Sequence, residues 1–188
     1  LRVGGLARVE QEADAVIEME CAVGDTLVEN TVLLRVHGGR QPLAEISLLQ
    51  GIRLARDRTF EQDPKYPLRL LVDIAIRALS PAINDPTTAV QAIDQIEDLL
   101  LRLGRRVLDA GCVTDAQGDL RLIFPTPTWE DYLSLAFDEI RQYGAGSIQV
   151  IRRLRSALLS LADSVVEAEY KEQDFRLSWL ISSNAGIS

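Results

Sequence analysis

The chain has 188 residues, 47% of them apolar and 26% charged, and a formal charge of −8. That length suits one domain, or one with a small appendage, and can bury a core without staples, while the composition excludes disorder over most of it. An acidic surface repels phosphate backbones, which argues against nucleic acid as a partner.

Residues 1–58 read as a small mixed β/α subdomain. In "AVIEMEC", Ala15, Ile17, Met19 and Cys21 alternate with Glu18 and Glu20, the pattern of a half-buried strand. "VGD" is a turn, and "TVLLRVH" alternates again, with Val32, Leu34 and Val36 on one side. "LAEISLLQGI" reads as a short helix and "IRLARDRTF" as an extended segment. The stretch "AVGDTLVENTVLLRV" resembles the strand–turn–strand of biotinyl and lipoyl carrier domains. Those domains present a lysine on a hairpin, and residues 1–64 contain none, so at most the small β-fold is shared. Lysine occurs only at Lys65 and Lys171, against eighteen arginines, a bias read as that of a GC-rich genome. His37 is the sole histidine and has no nucleophile motif beside it. A Ser-His-Asp triad and a two-histidine metal site in one chain are thereby disfavoured. Cys21 and Cys112 are far apart and not at metal spacing, and two buried thiols are expected rather than a disulfide. No metal site and no cofactor is expected.

Residues 59–188 read as a mainly helical subdomain, forming one compact unit with the first. "PLRLLVDIAIRALS" is apolar on nearly all sides, which predicts a central, buried helix. Its polar stripe, Arg69, Asp73 and Arg77, steps by four, so a carboxylate sits between two guanidiniums, paired internally or facing a partner or polar cavity. "TTAVQAIDQIEDLLLRLG" carries one seam, Ala89, Ile93, Ile96, Leu100 and Leu103, and ends at Gly104. "RRVLDAGCVTDAQGDLRLIFP" reads as an inserted pair of short strands around a turn. A third helix follows in "TPTWEDYLSLAFDEIRQYGAG", with Thr128 as cap. A fourth, capped by Ser147, has Ile151, Leu154, Leu158, Leu161 and Val165 along its seam. No stretch approaches the ~20 apolar residues of a membrane span. The chain begins at Leu1 and its one methionine is Met19, so it reads as an excised or processed piece, with any membrane spans upstream.

The segment "SPAINDPTT" joins the first two helices. Ser80-Pro81 ends one, because a residue before proline leaves the α region. Asp85 caps the next, and Pro86 takes the first helical position, where its missing N–H costs nothing. Capping needs only those residues. Ser80, Asn84, Thr87 and Thr88 add a polar cluster, with Arg77 one turn away. A helix start with hydroxyls and an arginine can hold an anion, although Asp85 would repel one, and a cation or a polar neutral ligand fits equally well. "EQDP", Glu61 to Pro64, repeats the Asp-Pro device before the first helix, or makes a turn just ahead of Pro67.

The stretch "FEQDPKYPLRLLVDIAIRALSPAINDPTTAVQAID", with "VGDTLVENTVLLRV" before it and "WEDYLSLAFDEIRQYGAGSIQVIRRL" after it, resembles a family of predicted bacterial membrane proteins known as domain of unknown function 2254. The resemblance implies the soluble C-terminal part of an integral membrane protein, on the cytoplasmic side of a bacterial inner membrane, with its own transmembrane domain as partner. It implies no reaction. It singles out Glu61, Asp63, Arg77, Ser80, Asn84, Asp85, Thr87 and Thr88 as signature residues and ligand-binding candidates.

Arg152, Arg153 and Arg155 form a basic patch, read either as pairing with acids of the third helix such as Asp138 and Glu139, or as touching anionic lipid headgroups. The expected fold class is α+β, a small β-rich N-terminal part packed on four or more helices. The expected function is a regulatory, ligand-binding or oligomerisation module that self-associates. The alternatives are an enzyme using the acidic cluster around Asp85, where Glu61 and Asp63 would meet it, or a purely structural assembly domain.

Overall fold

A computed structural model describes residues 14–39, 48, 52, 63, 65–106, 108 and 111–164. The expected helix "LAEISLLQGI" and segment "IRLARDRTF" lie outside these residues, apart from Leu48 and Ile52, as do Glu61 and Val165. The class is α+β, a four-stranded mixed sheet followed by helices. The chain divides into two compact units, Leu1–Pro67 with Leu108–Thr128, and Leu68–Val107 with Trp129–Ser188.

The first unit holds the sheet. Strand β1, Ala15–Met19, buries Ala15, Ile17 and Met19 and turns Val16 and Glu18 outward, as its alternation requires. Strand β2, Leu34–Gly38, pairs antiparallel with it, with Ile17 opposite Val36 and Glu18 opposite Arg35. Apart from the half-buried Leu34, β2 is exposed on both faces, so the sequence alternation there does not translate into burial. His37 faces Glu18 across this pair at 2.7 Å, a surface contact with no nucleophile attached. Strands β3, Cys112–Thr114, and β4, Leu120–Ile123, make the expected hairpin. Leu122 of β4 pairs in parallel with Ile17, giving the order β2-β1-β4-β3. The strand pair read as an insertion among helices thus belongs to the sheet. Ile17, Met19, Leu48 and Leu122 form its core, with Leu34, Ile52, Val113 and Phe124 packed on it.

One network ties the hairpin down. Asp115 accepts the N–H groups of Gln117 and Asp119 at 3.0 and 2.9 Å, closing the "DAQGD" turn. Its other oxygen takes Arg121 Nε at 2.8 Å, and the same guanidinium reaches Asp14 at 3.2 Å, at the entry to β1. The hydrogen bond from Arg121 holds the Asp115 carboxyl below the usual range. Both cysteines are free thiols. Cys112 is exposed and Cys21 half-buried, which corrects the expectation of two buried ones, because both lie at strand margins where nothing covers them fully.

The second unit is helical. Helix α1, Tyr66–Ala78, buries only one stripe, Leu68, Val72, Ala75 and Ala78, and leaves Ile74 49% exposed. It is therefore not the all-round buried helix that its composition indicates. Its Arg69 pairs with Asp73 at 2.9 Å and with Glu139 of helix α3, Trp129–Tyr143, so that part of the polar stripe is answered within the unit. Helix α2, Pro86–Gly104, buries Ala89, Ala92, Ile93, Ile96 and Leu100, close to the expected seam. The chain is helical again over 148–164, helix α4. Gly144 sits between α3 and α4 where any Cβ would stand 2.5 Å from Val150 Cγ1 and 2.8 Å from the Ile140 carbonyl oxygen, so only glycine lets the two helices meet. The seam of α4 is Val150, Leu154, Ala157 and Leu161. Ile151 and Leu158, placed on the seam in the sequence reading, are 47% and 46% exposed, because the smaller Ala157 takes the buried position.

Candidate functional site

The structure brings Ser80, Asn84, Asp85, Thr87 and Thr88 together in the joint between α1 and α2. Helix α1 closes with the Leu79 N–H on the Ala75 carbonyl and the Ser80 N–H on that of Arg77. The Ser80 hydroxyl also donates to the Arg77 carbonyl, at 2.7 Å. The N–H groups of Ile83 and Asn84 both donate to the Ser80 carbonyl, at 3.0 and 2.8 Å, and the Asp85 N–H reaches back to Ala78 at 2.8 Å. Asn84 takes a left-handed φ of 49°, a conformation that asparagine tolerates better than most side chains.

Asp85 then starts α2 as its N-cap. Its Oδ1 accepts the N–H groups of Thr87 and Thr88, each at 3.1 Å, and its Oδ2 accepts the Thr88 hydroxyl at 2.5 Å. These bonds, the Thr88 hydroxyl foremost, hold the carboxyl below its ordinary range. Pro86 occupies the first helical position, as expected. The joint's hydroxyls and carboxylate are therefore largely engaged with the joint itself. Arg77 is exposed, and among the described residues it makes no ion pair.

Asp63 belongs to the other unit. It is 3% exposed, the one buried charged residue among those described. Its Oδ1 accepts the Lys65 N–H at 2.9 Å and its carbonyl accepts the Tyr66 N–H at 3.2 Å, so it opens α1 much as Asp85 opens α2. Its carboxylate presses on Gly24, whose φ is 93°. A Cβ there would lie 2.7 Å from Asp63 Cγ. Asp63 of the "EQDP" stretch thus meets Gly24 of the "VGD" turn. No spacing rule foretells a contact across thirty-nine positions. Among the described residues no three His, Cys, Asp or Glu side chains stand together as a metal-ligand group.

The arginine patch divides. Arg153 is the least exposed member, pairing with Asp94 and Glu97 of α2 rather than with acids of α3. Glu139 is taken by Arg69, and Asp138 lies 3.8 Å from Arg141. Burial pushes the Glu97 carboxyl up, but hydrogen bonds from Arg153 and Ser160 outweigh it and leave the group lowered. Arg152 and Arg155 are exposed and make no ion pair among the described residues.

The chain thus holds a mixed sheet in one unit and, in the other, helices whose first two meet at a capped joint. Residues 1–160 match the family model described as "Predicted membrane protein (DUF2254)", and the chain belongs to that family. It is 35% identical over 119 residues to the uncharacterized proteins Rv1290c of Mycobacterium tuberculosis and Mb1321c of Mycobacterium bovis. The match covers 63% of this chain and 23% of each relative. The chain thus spans about a quarter of the length of the curated relatives it matches. No solved structure matches it. Among the described residues no helix is long and apolar enough to cross a membrane.

Proposed function

We propose that this chain is the extramembranous module of an integral membrane protein, on the cytoplasmic side of a bacterial inner membrane, and that it works by contact rather than by chemistry. The observation that carries this reading is the closed joint: Asp85 gives its carboxylate to its own helix start, and Ser80 gives its hydroxyl to the end of α1. A signature used this way fixes the angle between α1 and α2, and so the surfaces that they offer to the rest of the protein. Self-association through α1 is part of the proposal, supported by the exposed Ile74 beside the half-buried Leu70.

The test is thermal unfolding against metals, anions, nucleotides and polar metabolites, with wild type beside Asp85→Asn and Arg77→Gln. Asparagine keeps a cap acceptor while removing the charge. The expected result is no ligand-dependent shift in any of the three. A ligand at ~100 times its dissociation constant adds roughly 2.7 kcal/mol. Such a shift in wild type, lost in both variants, would replace this reading with a binding site at the joint.

A further inference from the structure

We propose that the outward face of α4 is a docking surface for anionic phospholipid headgroups. The inference rests on the reading of this chain as part of a membrane protein and names the partner of one of its faces.

The helical period puts Val150, Leu154, Ala157 and Leu161 on one side of α4, where all four are buried. The opposite side carries Ile148, Ile151, Leu158 and Leu159, which are 67%, 47%, 46% and 57% exposed. Arg152 and Arg155 stand among them, exposed and without an ion pair among the described residues. A solvated helix face ordinarily carries polar groups. Large aliphatic side chains interleaved with free guanidiniums are the composition of a helix lying in a bilayer interface, apolar groups in the acyl boundary and cations at phosphate level. Beside this face an open, mainly apolar cleft runs between α2 and α4, lined by Val90, Ile148, Gln149, Arg152, Arg153 and Ser156.

Charge selects the occupant. The chain as a whole carries −8, so an anionic surface repels most of it and attracts this face, which orients the encounter. A second copy docked α4 to α4 would bring four unanswered guanidiniums onto one apolar seam. Asp163 is the one acid within residues 148–164 to meet them. Phosphate headgroups answer both arginines without that repulsion.

The experiment is flotation of the 188-residue chain with vesicles of phosphatidylglycerol and phosphatidylcholine, and with phosphatidylcholine alone. Wild type should float with the anionic vesicles only, and added salt should weaken binding. Removing one arginine at the surface should weaken it roughly fivefold, so Arg152→Gln/Arg155→Gln should lose most of it. Ile148→Ser/Leu159→Ser should also lose binding. Both pairs are exposed, and unchanged circular dichroism and Tm would show that the fold is kept. Arg153→Gln is the control, since its guanidinium is spent on α2; it should lower Tm and still float. Three results would overturn the proposal: no flotation of wild type, equal flotation with neutral vesicles, or binding unaltered in the folded arginine pair. Concentration-dependent dimers abolished by Ile148→Ser/Leu159→Ser, without flotation, would assign the face to a second copy instead. Failure here leaves the module reading standing if no ligand acts at the joint.

Discussion

At the scale of single residues, Gly24 is held to glycine by two separate demands. Its φ of 93° disfavours any side chain, and the Asp63 carboxylate fills the place where a Cβ would go. Gly24→Ala should cost about 1–3 kcal/mol from backbone strain alone, with the displaced buried carboxylate adding to it, read as a lower Tm. Asp115 supplies a pH-dependent counterpart. Its folded-state pKa lies below the ordinary carboxylate value, so its contribution is present above that value and is lost as pH falls through the folded one. Asp115→Asn should therefore destabilise the chain near pH 7, and the gap in Tm from wild type should close on acidification toward about pH 3. A gap independent of pH would contradict the role given to Arg121.

Among elements, α2 and α4 show what periodicity can and cannot decide. In α2 one apolar stripe faces one polar stripe, and the seam Ala89, Ile93, Ile96, Leu100 is readable from spacing. In α4 two stripes compete. Ile151 and Leu158 outweigh Val150 and Ala157 on any hydrophobicity scale, yet the close approach at Gly144 puts Val150 and Ala157 inside. The same limit applies to α1, where composition cannot tell an apolar residue in the core from one left outside, as Ile74 is. Leu154→Ala should cost about 2–5 kcal/mol, whereas Leu158→Ser should stay within ~0.5 kcal/mol; equal losses by chemical denaturation would restore the other seam. Arg153→Gln strands Glu97 and Asp94 on α2 and should cost about 1–3 kcal/mol, with Arg152→Gln near neutral. The caps at Asp85 and Pro86 were legible because they are local. The network joining Arg121, Asp115 and Asp14 was not, because it depends on which strand lies beside β1.

The whole molecule follows from two cores and one well-made joint. The α+β class could be read from the change of period after residue 64. The sheet order could not, because the pairing of β4 with β1 spans about a hundred residues and leaves no local trace. The signature stretch was recognisable as a unit in the sequence, but only geometry shows that its Asp85 carboxylate and the hydroxyls of Ser80 and Thr88 turn inward on the joint. The faces proposed above for partners are the side of α1 that carries Ile74 and the basic, apolar side of α4, on a chain of net charge −8. The most direct measurement is thermal unfolding of wild type, Asp85→Asn and Asp85→Ala between pH 7 and about pH 3. The folded-state pKa of Asp85 is lowered, so its stabilisation is present above the ordinary carboxylate range and fades as pH falls through the folded value. The account predicts Asp85→Asn below wild type at pH 7, because it keeps a cap acceptor but loses the charge, and Asp85→Ala several degrees lower still, with both deficits shrinking in acid. An alanine variant as stable as wild type at pH 7 would contradict it, and would free Asp85 for another task.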